Sequence, residues 1–230
     1  MKIIKNPPKN EWNAIFSRPV QNFVEIEQKV APILAEVRQN GDFALQKFSL
    51  QFDKVKLENL KVSESEIVNA EKQLSDELKT AIQVAKQNIT HFHSLQKENF
   101  TPTETMSGVL CWRKSVAIQK VGIYIPSGTA PLFSTVLMLG IPAQIAGCQE
   151  VVMCSPPDKN GNIHPAILYA AQLVGVHQIF KIGGSQAIAA MAYGTETVPK
   201  VYKIFGPGNQ YVTTAKQLVS KEGMAIDMPA

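Results

Sequence analysis

The feature that most constrains the fold begins near Gly108, where short apolar segments start to alternate with longer stretches of helical character. FSTVLMLGIPAQIAG, HPAILYAAQLVG, SQAIAAMAYG and NQYVTTAKQLVSKEG have helical length and composition, and EVVMC, QIFKI, KVYKIF and MAIDM fall between or after them. VLCWRKSVAIQKVGIYI, ahead of the first of these helices, reads as β-rich along its length. Strands apolar at nearly every position must be buried on both faces, and helices of about ten to fifteen residues between them supply the two covering layers. The expectation is an α/β fold with a Rossmann-like, doubly wound parallel sheet, preceded by a helix-rich N-terminal region.

That N-terminal region, residues 1–107, is charged and helical in pattern, and the Rossmann-like domain occupies 108–230. NFVEIEQKVAPILAEVRQNG reads as an amphipathic helix closed by Gly41. Ser63-x-x-Glu66 is a capping box, followed by Ile67, Ala70, Leu74, Leu78, Ile82, Ala85, Ile89, Phe92 and Leu95 at three-to-four spacing. One helix across all of these would be unusually long, so Ser75-Asp76-Glu77 is expected to cap a second helix inside the stretch.

Several function classes are disfavoured. A net charge of +4, with lysines interspersed among acidic residues, gives no basic block for nucleic acid. Apolar runs such as VLMLGIPAQIAG are broken by Gly and Pro below membrane-spanning length, and MKIIKNPPKNEW has no signal-peptide core, so a soluble, cytoplasmic protein is expected. Cys111, Cys148 and Cys154 form no CxxC pair and read as reduced thiols, and Cys148 and Cys154, at the ends of buried-looking segments, read as packing rather than reactive groups. His91 and His93, two apart on a helix, face different directions and cannot share a metal ion. His164 and His177 flank a helix as surface or capping residues.

In a parallel sheet the strand-to-helix turns gather at the carboxyl edge, where ligands bind. Three of these turns combine glycine with a polar side chain near a helix start: YIPSGTAP, IGGSQA and FGPGNQ. Glycine permits close approach, and helix N-termini favour an anion, so together they outline a phosphate-friendly cleft. Tyr124, Gln186 and Asn209 are its polar candidates, able to hydrogen-bond a ribose or base, or else to cap helices and line the core rim. Neither the G-x-G-x-x-G dinucleotide fingerprint nor a Walker loop is present. Glu196 and Asp227, the acidic residues nearest these turns, could orient a substrate or close a turn, and the structural reading, in which they satisfy local backbone groups, is favoured.

VGIYIPSGTAPLFSTVLMLGIPAQIAGC, ILYAAQLVGV, IFKIGGSQAIAAMAYGTETVPKVYKIFGPGNQYVTTAKQLV and AIDMPA resemble histidinol dehydrogenases, and SESEIVNAEKQLSDELKTAIQVAKQNITHFHSLQ does so more weakly. The resemblance implies NAD-dependent oxidation of L-histidinol to L-histidine through the aldehyde, in histidine biosynthesis, by a zinc-containing homodimer whose site draws on both subunits. It carries the family's NAD contacts onto Tyr124, Gln186 and Asn209. Ser127 stands where the family's turn has a second glycine, a substitution that would strain a backbone of positive φ. In the family, the substrate-contacting serine, the zinc ligands and the Glu-His acid/base pair follow the segment matching DMPA. The chain therefore resembles an N-terminal portion. No catalytic or metal residue is assigned within it, and such a portion is expected to be inactive, and poorly stable or prone to associate. The alternatives are a non-catalytic nucleotide-binding or assembly fragment and an aldehyde-oxidising enzyme using Cys148 or Cys154.

Overall fold

The structure, a computed structural model, describes residues 3–17, 23–98, 100–127 and 130–228. A short 3-10 turn leads into α1 (Trp12–Phe16) and then α2 (Phe23–Phe48), which ends in a π-type turn over Ser49–Asp53. As the sequence pattern predicts, the chain leaves the helix at Gly41, whose φ of +49° and ψ of −130° are non-helical and divide α2 into two helices. It kinks and resumes, because Asp42 is held from outside. Its N–H donates to the Glu196 carboxylate at 2.8 Å, and its own carboxylate accepts from the Thr195 hydroxyl at 2.6 Å. Glu196 therefore serves as a backbone acceptor, but for Asp42, 154 positions away in the chain, rather than for the local backbone the sequence suggests.

The next helices follow their caps. At α3 (Glu64–Lys72) the Ser63 hydroxyl accepts from the Glu66 N–H while the Glu66 carboxylate accepts from the Ser63 N–H at 2.8 Å. Ser75 accepts from the Leu78 N–H at 3.2 Å and starts α4 (Asp76–Ser94). The apolar stripe of these helices is buried at Ile67, Ala70 and Ile82, and runs out at Phe92 and Leu95, which are exposed.

A two-stranded antiparallel ribbon, β1 (Thr103–Met106) and β2 (Val109–Cys111), spans the point between residues 107 and 108. Residues 112–119 carry no strand, so the expected continuous β segment is two strands with a connector. Then come β3 (Lys120–Tyr124), α5 (Phe133–Ala146), β4 (Glu150–Ser155), α6 (Pro165–Leu173), β5 (Gln178–Lys181), α7 (Gly184–Tyr193), β6 (Lys203–Phe205), α8 (Gln210–Lys221) and β7 (Ala225–Ile226).

These last strands form one parallel sheet in the order β5-β4-β3-β6-β7. The path steps outward from β3 through β4 to β5, then returns to place β6 on the other side of β3. Helices consequently cover both faces. On one face α7 and α8 pack with α2 through Val30, Leu34, Leu45, Ile188, Val212 and Val219. On the other, α5 and α6 pack with α3 and α4 through Ile67, Ile82, Val136, Ile141, Ile167 and Ala170. The helices preceding residue 108 are thus built into both cores. Residues 60–62 run antiparallel along β5, with the Val62 N–H bonded to the Ile179 carbonyl at 2.9 Å, and cover that sheet edge.

Candidate functional site

β3 and β6 lie side by side although their connections run to opposite sides, which opens a crevice beyond their carboxyl ends. A cleft of about 1010 Å³ lies at this edge, walled on the far side by α2 and the turn after it. Tyr124 from the end of β3, Gln186 from the start of α7 and Asn209 from the start of α8 all line it. A second hollow of about 750 Å³, between α3, α6 and the Asp158–His164 loop, contains none of the three.

Each of the three side chains is held by its surroundings. Tyr124 is 3% exposed, and its hydroxyl accepts the Gly184 N–H at 3.1 Å. Burial pushes its phenol up to about 12, which keeps the proton on oxygen as a donor. Gln186 is also buried, within the first turn of α7. Asn209 is exposed and caps α8, its Oδ1 accepting from the Tyr211 and Val212 N–H groups at 3.0 and 3.1 Å. Its Nδ2 remains to donate. The capping and ligand-facing readings of Asn209 are therefore compatible.

The glycines of FGPGNQ have a different explanation from the one the sequence suggests. Gly206 has φ +130°, and a Cβ there would run into the main chain of Tyr124 on β3. At Gly208 a Cβ would meet Val212. The close approach is made by the protein itself. Helix-start N–H groups are also partly used: Tyr124 takes that of Gly184, and Asn209 takes those of Tyr211 and Val212. The anion-friendly character of these two turns thus rests on dipoles more than on free donors. In YIPSGTAP, Gly128 and Thr129 lie outside the described residues. Ser127 does not have positive φ, so the serine strains nothing.

Sequence reading missed the group that fixes this turn. Lys216, 5% exposed on α8, donates to the Gly206 carbonyl at 2.9 Å and forms an ion pair with Asp227. Asp227 in turn accepts the Gly206 N–H at 2.8 Å through Oδ2. Both polar groups of Gly206 are held by one ion pair, buried at its Lys216 end. A signal existed: Lys216 sits in the apolar stripe Val212, Ala215, Val219 of α8, where a lysine needs a partner. Asp227 is thereby the turn-closing group the sequence suggested.

Asp53 and Phe52, from the turn after α2, also line the cleft and were not foreseen. Phe52 stacks on Phe48, with ring centroids 5.6 Å apart and planes 5° from parallel, and remains about half exposed at 47%. Asp53 is half-buried, and burial pushes its carboxyl up to about 6. Nothing in the spacing of FSLQFDK marks either residue.

Cys154 packs in the core and Cys148 is half-buried, while Cys111, His91 and His177 are exposed. Cys154 is fully buried, and burial raises its thiol and, to a lesser degree, that of Cys148 above the ordinary range, which disfavours a thiolate nucleophile at either position. His164 caps α6, its Nδ1 accepting the Ala166 N–H at 3.1 Å. Among the described residues no three His, Cys, Asp or Glu groups converge as a metal set. Nor, among them, is any helix long and apolar enough to cross a membrane.

A sequence profile of the histidinol dehydrogenase family matches residues 16–230. A histidinol dehydrogenase of Bacteroides thetaiotaomicron is 62% identical over 230 residues, covering 100% of this chain and 54% of that protein. One from Photobacterium profundum is 52% identical over 224 residues, 96% of this chain and 50% of its own. The crystal structure of histidinol dehydrogenase from Elizabethkingia anophelis superposes with a TM-score of 0.93 at 53% identity, covering 98% of this chain and 52% of that one. The chain spans about half the length of the relatives it matches. With the match running through both the helical region and the doubly wound sheet that frames the cleft, the chain belongs to the histidinol dehydrogenase family.

Proposed function

We propose that this chain supplies the pyridine-nucleotide berth of an enzyme that oxidises L-histidinol to L-histidine, with NAD as oxidant. The observation that carries the reading is the convergence of Tyr124, Gln186 and Asn209, from three separate strand-to-helix turns, on one cleft at the carboxyl edge of the sheet. Its volume of about 1010 Å³ is at the upper end of the usual range for small-molecule and cofactor sites. NAD, when bound, accepts hydride from the alcohol and then from the aldehyde.

The residues of this chain bind and orient. Tyr124, protonated and donating, offers a fixed hydrogen bond from the cleft floor, and its grip on the Gly184 N–H holds the start of α7 in place. Gln186 and the Asn209 amide nitrogen add polar contacts from two sides. The Lys216–Asp227 pair keeps the Asn209 turn in register with β3. In this reading proton removal and zinc binding are assigned to the family's segments that follow the one matching DMPA, and none of the cleft residues is given either role. A homodimer in a cytoplasmic setting is part of the same reading, as is the absence of turnover by this chain alone.

The test is isothermal titration of NAD into the wild-type chain and Asn209→Ser. Serine preserves the helix cap and removes the amide nitrogen. Wild type is expected to bind weakly, and the variant about tenfold more weakly, as for loss of one ligand hydrogen bond. Equal affinity for the two removes Asn209 from the site. No binding by the wild type overturns the assignment of the cleft.

A further inference from the structure

The carboxylate of Asp53 stands in this cleft with no cation within ion-pair distance among the described residues, although Lys29 and Lys159 also line the cleft. Its Oδ2 is screened from solvent and has no hydrogen-bond partner among the described residues, and no ion pair is made by the side chain there. Lys54, its neighbour, points its Nζ to the Gln51 carbonyl at 2.8 Å. Tyr124 lies close enough to feel the Asp53 charge, but no hydrogen bond joins the two; the Tyr124 hydroxyl accepts the Gly184 N–H and its proton is free for a ligand. Burying an unpaired carboxyl is unfavourable, and structural carboxylates elsewhere in this chain are engaged: Asp42 and Asp158 accept from hydroxyl or backbone N–H groups, and Asp227 accepts the Gly206 N–H through Oδ2 and pairs with Lys216. Asp53 is the exception, and it lies on the wall of the candidate site.

The adjacent residue supplies the second half of a recognition pair. Phe52 offers a half-exposed ring in the same cleft, braced from behind by its stack on Phe48. A flat apolar face followed by an acceptor carboxylate matches a nucleoside: the base lies on the ring and the sugar diol donates to the carboxylate. A carboxylate in that position also repels a phosphate on the sugar.

We propose that Asp53 is a specificity-determining residue, receiving the hydroxyls of the adenosine ribose of a pyridine dinucleotide and excluding the 2′-phosphorylated form. The proposal rests on the cleft being the dinucleotide site. It assigns the adenosine end of the ligand to the α2 side of the cleft and leaves the Tyr124–Asn209 side to the remainder.

The experiment is titration of NAD, NADP and 2′-deoxyadenosine-modified NAD into the wild-type chain, and of NAD and NADP into Asp53→Asn and Asp53→Ala. Wild type is expected to bind NAD at least about tenfold more tightly than either other ligand, the factor expected for one charge-assisted hydrogen bond. In Asp53→Asn the preference for NAD over NADP should shrink about tenfold, mostly through tighter NADP binding as the repelling charge is lost. Asp53→Ala should weaken NAD and lose the preference as well. An unchanged NAD-to-NADP ratio in the variants, or equal binding of NAD and its deoxy analogue by the wild type, overturns the assignment of Asp53. If NAD binding also responds to Asn209→Ser, the cleft reading survives that failure. Absence of any binding by the wild type overturns both.

Discussion

Replacing Lys216 by methionine tests how the Asn209 turn is held. Methionine follows the volume of the lysine stem but removes the ammonium group, leaving the Gly206 carbonyl without its 2.9 Å donor and Asp227 without its counter-ion. Removing one partner of a buried pair commonly destabilises by about 3–5 kcal/mol. The Lys216 side chain is 7% exposed but that of Asp227 is 29% exposed, so water can partly replace the lost cation, and the lower end applies: about 3 kcal/mol. In a chain of this size that corresponds to a fall of roughly 6–12 °C in melting temperature. Urea unfolding of wild type and variant should show a lower midpoint at unchanged slope. The double variant Lys216→Met, Asp227→Asn should recover part of the loss, because the uncompensated charge is gone. A loss below about 1 kcal/mol, or a double variant no more stable than Lys216→Met, would refute the view that this pair clamps the turn.

Two further outcomes follow from buried groups. Asp53, raised from 3.8 to about 6 by burial, keeps its proton in the folded state over a window where the unfolded chain has lost it. Its contribution therefore disfavours folding progressively as pH rises from about 4 to 6 and stays constant above that. Because Asp53 is only half-buried, solvent screening reduces the effect to about 1–2 kcal/mol. Asp53→Asn should accordingly be more stable than wild type at pH 7.5 and equal to it near pH 4 in paired thermal melts; a gap independent of pH counts against the burial argument. For the thiols, a disulfide-exchange reagent should label exposed Cys111 in the native protein, modify Cys148 more slowly and reach Cys154 only after unfolding. Rapid native labelling of Cys154 would show that the β4 core is open.

Much of the architecture was legible because local chemistry and tertiary demand agree. The Ser63–Glu66 box and the Ser75 cap start helices through hydrogen bonds that close within a few residues, so sequence alone contains both partners. The doubly wound sheet was legible for a related reason: EVVMC and QIFKI are apolar on both faces, which only a covered parallel sheet requires. Boundaries shifted where a partner decides them. The expected strand KVYKIF shortens to Lys203–Phe205, and MAIDM to Ala225–Ile226, because pairing is set by neighbouring strands rather than by composition.

The sequence by itself determined the alternation of strand and helix, the caps, and the polar candidates Tyr124, Gln186 and Asn209 at three turns, since each of these is a property of a short contiguous segment. Only the tertiary structure decided that the three share a cleft, that Gly206 yields to the main chain of β3, and that Lys216 and Asp227 lock its turn. It alone brought Asp53, 71 residues before Tyr124 in the chain, to the same wall. The physical reason is range: a cap or an apolar stripe is specified by neighbours in sequence, whereas a binding cleft is specified by which distant segments the packed sheet brings together.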